Sequence, residues 1–131
     1  MAIEKSLSKY CTDIKAKNRK ALVTYVTAGI ENWEQAIDVC FNNGADIVEV
    51  GLPFSDPTMD GPIIAKASYK SIENGSRTLD LLSILSEKKY DKPLVVMTYA
   101  NVLYSQKLNV AVEALANANI TGLIIPDLSF E

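Results

Sequence analysis

Residues 21–51 read ALVTYVTAGIENWEQAIDVCFNNGADIVEVG, and the change of apolar spacing along them decides the fold. The stretch opens with a continuous apolar-rich run, residues 21–27, ended by Ala28 and Gly29, and closes with a second run, residues 45–51. Between the runs the spacing turns helical. Trp33, Ile37, Cys40 and Phe41 share one stripe, Asn32 with Gln35 three residues on is placed to cap the start, and Gly44 supplies the stop. Runs without polar alternation suit strands buried on both faces, and a helix between two of them is the crossover of a parallel pair.

The same pattern repeats outward. After a loop rich in proline and aspartate, Pro62–Glu73 reads as a helix closed by Gly75, and Thr78 is expected to cap another in which Leu81, Leu82, Ile84 and Leu85 face inward. Pro93 opens a third run, residues 94–98; Asn109 is expected to cap a helix reaching about residue 118; and residues 122–126, GLIIP, form a fourth run. At the other end, residues 2–16 predict an extra amphipathic helix with Ile3, Leu7, Tyr10, Cys11 and Ile14 on one side. Strands alternating with helices predict an α/β fold with a parallel sheet, here four βα steps with the last helix missing. Two closures compete. A doubly wound sheet could use four strands, but the glycines at 29, 44, 51, 61, 75 and 122 form neither GxGxxG nor GxxxxGK[ST]. The eight-stranded barrel usually takes about 250 residues, and this chain has 131.

That length accommodates one core rather than two. A net charge of −3 offers no cationic surface to a phosphate backbone, so nucleic acid is not an expected partner. With no histidine in the chain, imidazole triads and imidazole-ligated metals are excluded within it, and proton transfer near neutral pH falls to carboxylate, Lys, Tyr or Cys. Cys11 and Cys40 have no metal-type spacing and are expected to be small reduced core residues, as in a cytoplasmic protein. The first residues lack a signal-peptide core, and no apolar run approaches the roughly 20 residues of a membrane span. A soluble, cytoplasmic protein is expected.

Chemistry concentrates in residues 46–62, DIVEVGLPFSDPTMDGP. Glu49 is a charge inside a buried strand, on the same face as Ile47 and Gly51 and near the strand's C-terminal end, where parallel α/β folds place catalytic groups. A carboxylate there loses hydration and is expected to have a raised pKa suited to acid/base work, unless a lysine pairs with it structurally. Asp60, just before Gly61 and Pro62, matches a helix N-cap, and the pattern alone favours that reading over a catalytic one. Asp56, before Pro57, reads by default as a turn former. Pro53, Pro57 and Pro62 with Gly51 and Gly61 restrict this loop's backbone, as a loop holding a site or a partner surface requires.

These residues resemble a known family. The run from Glu49 to Pro57, EVGLPFSDP, followed by Met59, Asp60, Gly61 and Pro62, is similar to the signature of the tryptophan synthase α subunit. Three further blocks match in order: residues 25–29 (YVTAG), 97–101 (MTYAN) and 124–128 (IIPDL). The resemblance implies a (β/α)8 TIM barrel that cleaves indole-3-glycerol phosphate to indole and glyceraldehyde 3-phosphate, with residues 1–131 as the N-terminal half of that single domain. It implies Glu49 as general acid/base and Asp60 as the second catalytic carboxylate. It places Tyr25, Met97, Tyr99, Ile124 and Pro126 at the indole pocket, where the alternative for each is plain barrel core. Pro53, Asp56 and Asn101 fall where the family meets its β subunit, in an α2β2-type complex. No metal or cofactor is implied for this chain, since pyridoxal phosphate (PLP) belongs to the β subunit.

By the same resemblance the chain stops inside the loop after the fourth strand, short of the later loops that hold the substrate phosphate. Either it is a piece of a longer polypeptide, inactive or very weak alone, or it is a noncatalytic half-barrel that self-associates or binds a β-type subunit.

Overall fold

The computed structural model describes residues 6–129. In chain order the elements are α1 (Leu7–Ala16), β1 (Val23–Thr27), α2 (Trp33–Asn42), β2 (Ile47–Gly51), α3 (Pro62–Glu73), α4 (Thr78–Ser86), β3 (Leu94–Met97), α5 (Ala100–Ser105), α6 (Leu108–Asn117) and β4 (Gly122–Ile124). The strands make one parallel sheet in the order β1-β2-β3-β4. That order separates the two closures, because a doubly wound sheet reverses its strand order partway whereas a barrel adds each strand beside the last. The architecture is three consecutive βα units and a fourth strand in the order of a (β/α)8 barrel.

The two-residue period of each strand divides the apolar side chains between the faces. Val26, Val48, Val50, Leu94 and Val96 join Trp33, Ile37, Leu81, Leu82, Leu85, Leu103, Ala111 and Leu115 in the main core, so the helices cover that face. On the opposite face Met97, Tyr99 and Val102 form a second cluster with Tyr25 and Phe54. Near the N-terminal ends of β3 and β4 that face is met by α1, whose Leu7 reaches to where Gly122 lies against Val95.

Local departures from expectation have local causes. Asn32 sits in the left-handed region at φ 58° and makes no side-chain cap; only its carbonyl accepts, from Ala36 N–H. Thr78 is the first residue of α4, behind an extended Arg77, and Asn109 lies inside α6, behind Lys107 at φ 62°, so neither caps its helix. A short helix, α5, occupies residues left without an element, because six residues are too few to show a period. The extra N-terminal helix begins at Leu7, capped by Ser6 accepting from Lys9 N–H at 3.1 Å; Ile3 and the expected start at residue 2 lie outside the described residues. Cys11 is exposed on that helix rather than buried, while Cys40 packs partly against the main core; both are free. The fourth run is not buried on both faces, since Leu123 and Ile124 on β4 stand 44% and 43% exposed.

Candidate active site

Glu49 is the third residue of β2, with Tyr25 of β1 and Val95 of β3 as its register neighbours. It is half-buried, faces away from the helices with Met97 and Tyr25, and makes no ion pair among the described residues. Burial raises its pKa above the ordinary glutamate range, and the charge of Asp60 raises it further. Uncompensated desolvation favours the protonated form, so Glu49 can hold a proton where a solvated glutamate could not.

The loop after β2 turns back over this face because it is tied at several points. Leu52 N–H donates to Met97 carbonyl at 2.9 Å. The buried Ser68 hydroxyl of α3 accepts from Phe54 N–H at 2.8 Å and donates to Phe54 carbonyl at 3.1 Å. Phe54 packs against Tyr99 with ring centroids 5.0 Å apart. Pro53 and Pro57 are buried, so the loop shows its exposed edge at Ser55, Asp56, Thr58 and Met59. Of the expected partner-contact residues, Asp56 and Asn101 are therefore at the surface and Pro53 is not.

Asp60 overturns the reading that its local pattern favours. The N-cap of α3 is Gly61, with no side-chain cap, and Pro62 opens the helix. Asp60 instead accepts a hydrogen bond from the Tyr99 hydroxyl at 3.0 Å. That hydroxyl in turn accepts from Met59 N–H at 3.0 Å. Burial pushes the Tyr99 phenol above the usual tyrosine range, which keeps it a donor.

Tyr25 completes one wall. Its phenol lies over Gly51, where a Cβ would stand 1.8 Å from the Tyr25 hydroxyl oxygen, so glycine is required by that approach. Burial raises its pKa first, with the nearby Asp60 and Glu49 charges adding to it. Tyr25, Met97 and Tyr99 thus meet in one cluster with Phe54 beside the two carboxylates. Ile124 lies next to Met97 in register but is partly exposed on the last strand, and Pro126 is exposed just beyond it.

Three residues gain a place here that no sequence pattern assigned them. Phe54 enters the aromatic wall, Ser68 pins the loop, and Asp127 accepts from Ala100 N–H at 2.9 Å, tying the loop after β4 to the start of α5. Phe54 and Asp127 stand inside the matched blocks, which is the signal that could have flagged them. Among the described residues no three His, Cys, Asp or Glu side chains come close enough to hold a metal ion, and no helix is long and apolar enough to cross a membrane. The arrangement can move a proton through Glu49 and present a held carboxylate, Asp60, beside an aromatic cluster.

Comparison with known proteins is consistent with this geometry. A family profile described as "Tryptophan synthase alpha chain" matches residues 11–131. Among curated relatives, the tryptophan synthase alpha chain of Petrotoga mobilis is 44% identical over 120 residues, covering 88% of this chain and 46% of its own length. That of Streptococcus thermophilus is 38% identical, covering 97% of this chain and 51% of its own. Among solved structures, tryptophan synthase from Mycobacterium tuberculosis superposes at a TM-score of 0.85 with 36% identity, covering 93% of this chain and 49% of that one. A tryptophan synthase subunit alpha from Legionella pneumophila gives 0.84 at 27% identity, covering 94% and 49%. The chain spans about half the length of the curated relatives it matches.

Proposed function

The chain belongs to the tryptophan synthase alpha chain family, and from that premise we propose that it carries the acid/base half of a carbon–carbon lyase site in tryptophan biosynthesis. The substrate is indole-3-glycerol phosphate and the products are indole and glyceraldehyde 3-phosphate. Cleavage requires a proton to reach indole C3 while the adjacent side-chain hydroxyl loses its own; the electrons of the broken carbon–carbon bond return to the ring as the aldehyde forms. Glu49 shuttles these protons, a task that its raised pKa supports. Protonation at C3 puts positive charge on the ring nitrogen, and Asp60 stabilises that charge as it develops. Tyr25, Met97 and Tyr99 wall the indole, with Ile124 and Pro126 at its far side. The steps call only for proton transfer and charge stabilisation, so no cofactor is assigned to this chain, and PLP is placed in a β subunit. That subunit docks at the exposed loop around Asp56 and at Asn101. The setting is the cytoplasm.

One observation carries the reading: a half-buried glutamate at the centre of β2, without an ion pair among the described residues, with a second carboxylate nearby held by a buried tyrosine. The matched relatives are about twice this length, and the phosphate grip is assigned to the barrel strands outside the matched region, so activity needs both halves. In a polypeptide carrying the whole barrel, Glu49→Gln and Asp60→Asn should each lower the rate of indole release by about two orders of magnitude. Wild-type rates in either variant refute that residue's role.

A second reading, a noncatalytic half-barrel that assembles through its edges, draws on Leu22 and Val23 at the start of β1 and on Leu123 and Ile124 of β4, all 43–51% exposed. It expects a dimer in light scattering and no binding of an indole-glycerol phosphate analogue.

A further inference from the structure

The position of Asp60 is unusual for its sequence. An aspartate preceding Gly-Pro at a helix start would normally turn its oxygens onto the first-turn amides, yet α3 has no side-chain cap. What holds Asp60 elsewhere is a residue 39 positions away: Tyr99, at the end of β3, 2% exposed. A phenol that dry needs partners for its polar atom. It accepts from Met59 N–H and donates its one proton to Asp60 Oδ2, both at 3.0 Å. Because that proton is spent, the hydroxyl has nothing to donate to an indole. Asp60 Oδ1 makes no hydrogen bond among the described residues, which leaves one carboxylate oxygen tethered and the other without a protein donor.

We propose that Tyr99 is a positioning residue: its hydroxyl grips Asp60 Oδ2 and the Met59 amide, keeps the carboxylate from capping α3, and leaves Oδ1 to meet the substrate's ring N–H. The inference deepens the lyase reading above and rests on it. Its physical logic is preorganisation, since a carboxylate already held in place need not reorient as charge appears on the ring nitrogen. Phe54, stacked on the Tyr99 ring, and Asp127, fixing Ala100 next along the chain, hold the tyrosine in turn.

The test is Tyr99→Phe in the whole-barrel polypeptide, which keeps the ring and its packing on Phe54 and removes only the hydroxyl. Losing a hydrogen bond to a charged group should lower kcat roughly ten- to a hundredfold, with KM changed by less than about threefold because the pocket wall is intact. In an Asp60→Asn background the same change should cost less than about twofold further, since the group it positions is gone. A wild-type kcat in Tyr99→Phe, or an equal loss with and without Asp60, overturns the positioning role while leaving the lyase reading in place. A wild-type rate for Asp60→Asn instead overturns the role of Asp60, and that of Tyr99 with it. Independently of any variant, the Tyr99 phenolic proton of the wild-type protein should exchange with water slowly enough to be seen by proton NMR. Exchange as fast as in free tyrosine overturns the proposal.

Discussion

Asp46, immediately before β2, and Glu49, at the centre of that strand, stand three positions apart, and the fold treats them in opposite ways. Just before the strand, Asp46 is 4% exposed and accepts three hydrogen bonds: Arg19 donates two, at 3.2 and 2.6 Å, and Leu22 N–H a third at 2.8 Å. The Arg19 guanidinium and then the Leu22 amide hold its pKa below the usual aspartate range. At the strand's centre Glu49 has no such partner among the described residues, and burial moves its pKa the other way. The contrast shows how a parallel sheet divides its labour: an acid bonded three times ties the segment between α1 and β1 to the start of β2, while an acid left short of partners has a proton to give.

Removing the bonded acid should break the fold and spare the chemistry. Asp46→Ala loses three hydrogen bonds and strands the Leu22 amide, at a cost of about 3 kcal/mol in urea unfolding; turnover per folded molecule in the whole-barrel polypeptide should be unchanged. A folded but inactive Asp46→Ala would erase the distinction between the two acids.

Acid titration sharpens the comparison. Asp46 has a lowered folded pKa, so its stabilisation is present above the ordinary value of about 4 and is lost as pH falls through the folded value. Glu49 has a raised one, so its contribution is complete below about 4.3 and is lost as pH rises through the folded value. Unfolding free energies measured across this range should therefore decline on the acid side in the wild type and less steeply in Asp46→Ala. Equal acid slopes in the two proteins would mean that Arg19 and Leu22 do not hold Asp46 in solution.

The smallest effect concerns Glu49 itself. Glu49→Gln removes the cost of burying a charge, so at neutral pH the variant should be more stable than wild type by about 0.5 kcal/mol, a gain that vanishes in acid. A loss of stability at neutral pH would place Glu49 with Asp46, as a structural acid. Together with the loss of rate expected for the same substitution, a gain would mark a group retained for chemistry at the expense of stability.

Legibility followed the range of each interaction. The bounds of α3 could be read outright, because Pro62 lacks an amide hydrogen and Gly75 turns at φ 83°, and both effects act within a turn of the chain. The strand runs were visible to within two residues at each end, since burial on both faces leaves no polar alternation. The side-chain caps expected at Asn32, Thr78 and Asn109 do not form, because Asn32 sits in the left-handed region and the other two helices begin one or two residues earlier than their expected caps require. Asp60 is more instructive: its neighbours spell a cap, and only a tyrosine between β3 and α5 diverts it.

The amino-acid sequence alone determined the alternation of strands and helices, the place of Glu49 inside a strand and the stiffness of the loop that follows, because these rest on periods and on the intrinsic geometry of proline and glycine. Only the tertiary structure decided that the strands stack in consecutive order, that Asp46 is neutralised while Glu49 is not, and that Asp60 answers to Tyr99 rather than to its own helix. Those outcomes depend on hydrogen bonds and desolvation between residues 24 to 46 positions apart, and such energies leave no mark in any local pattern.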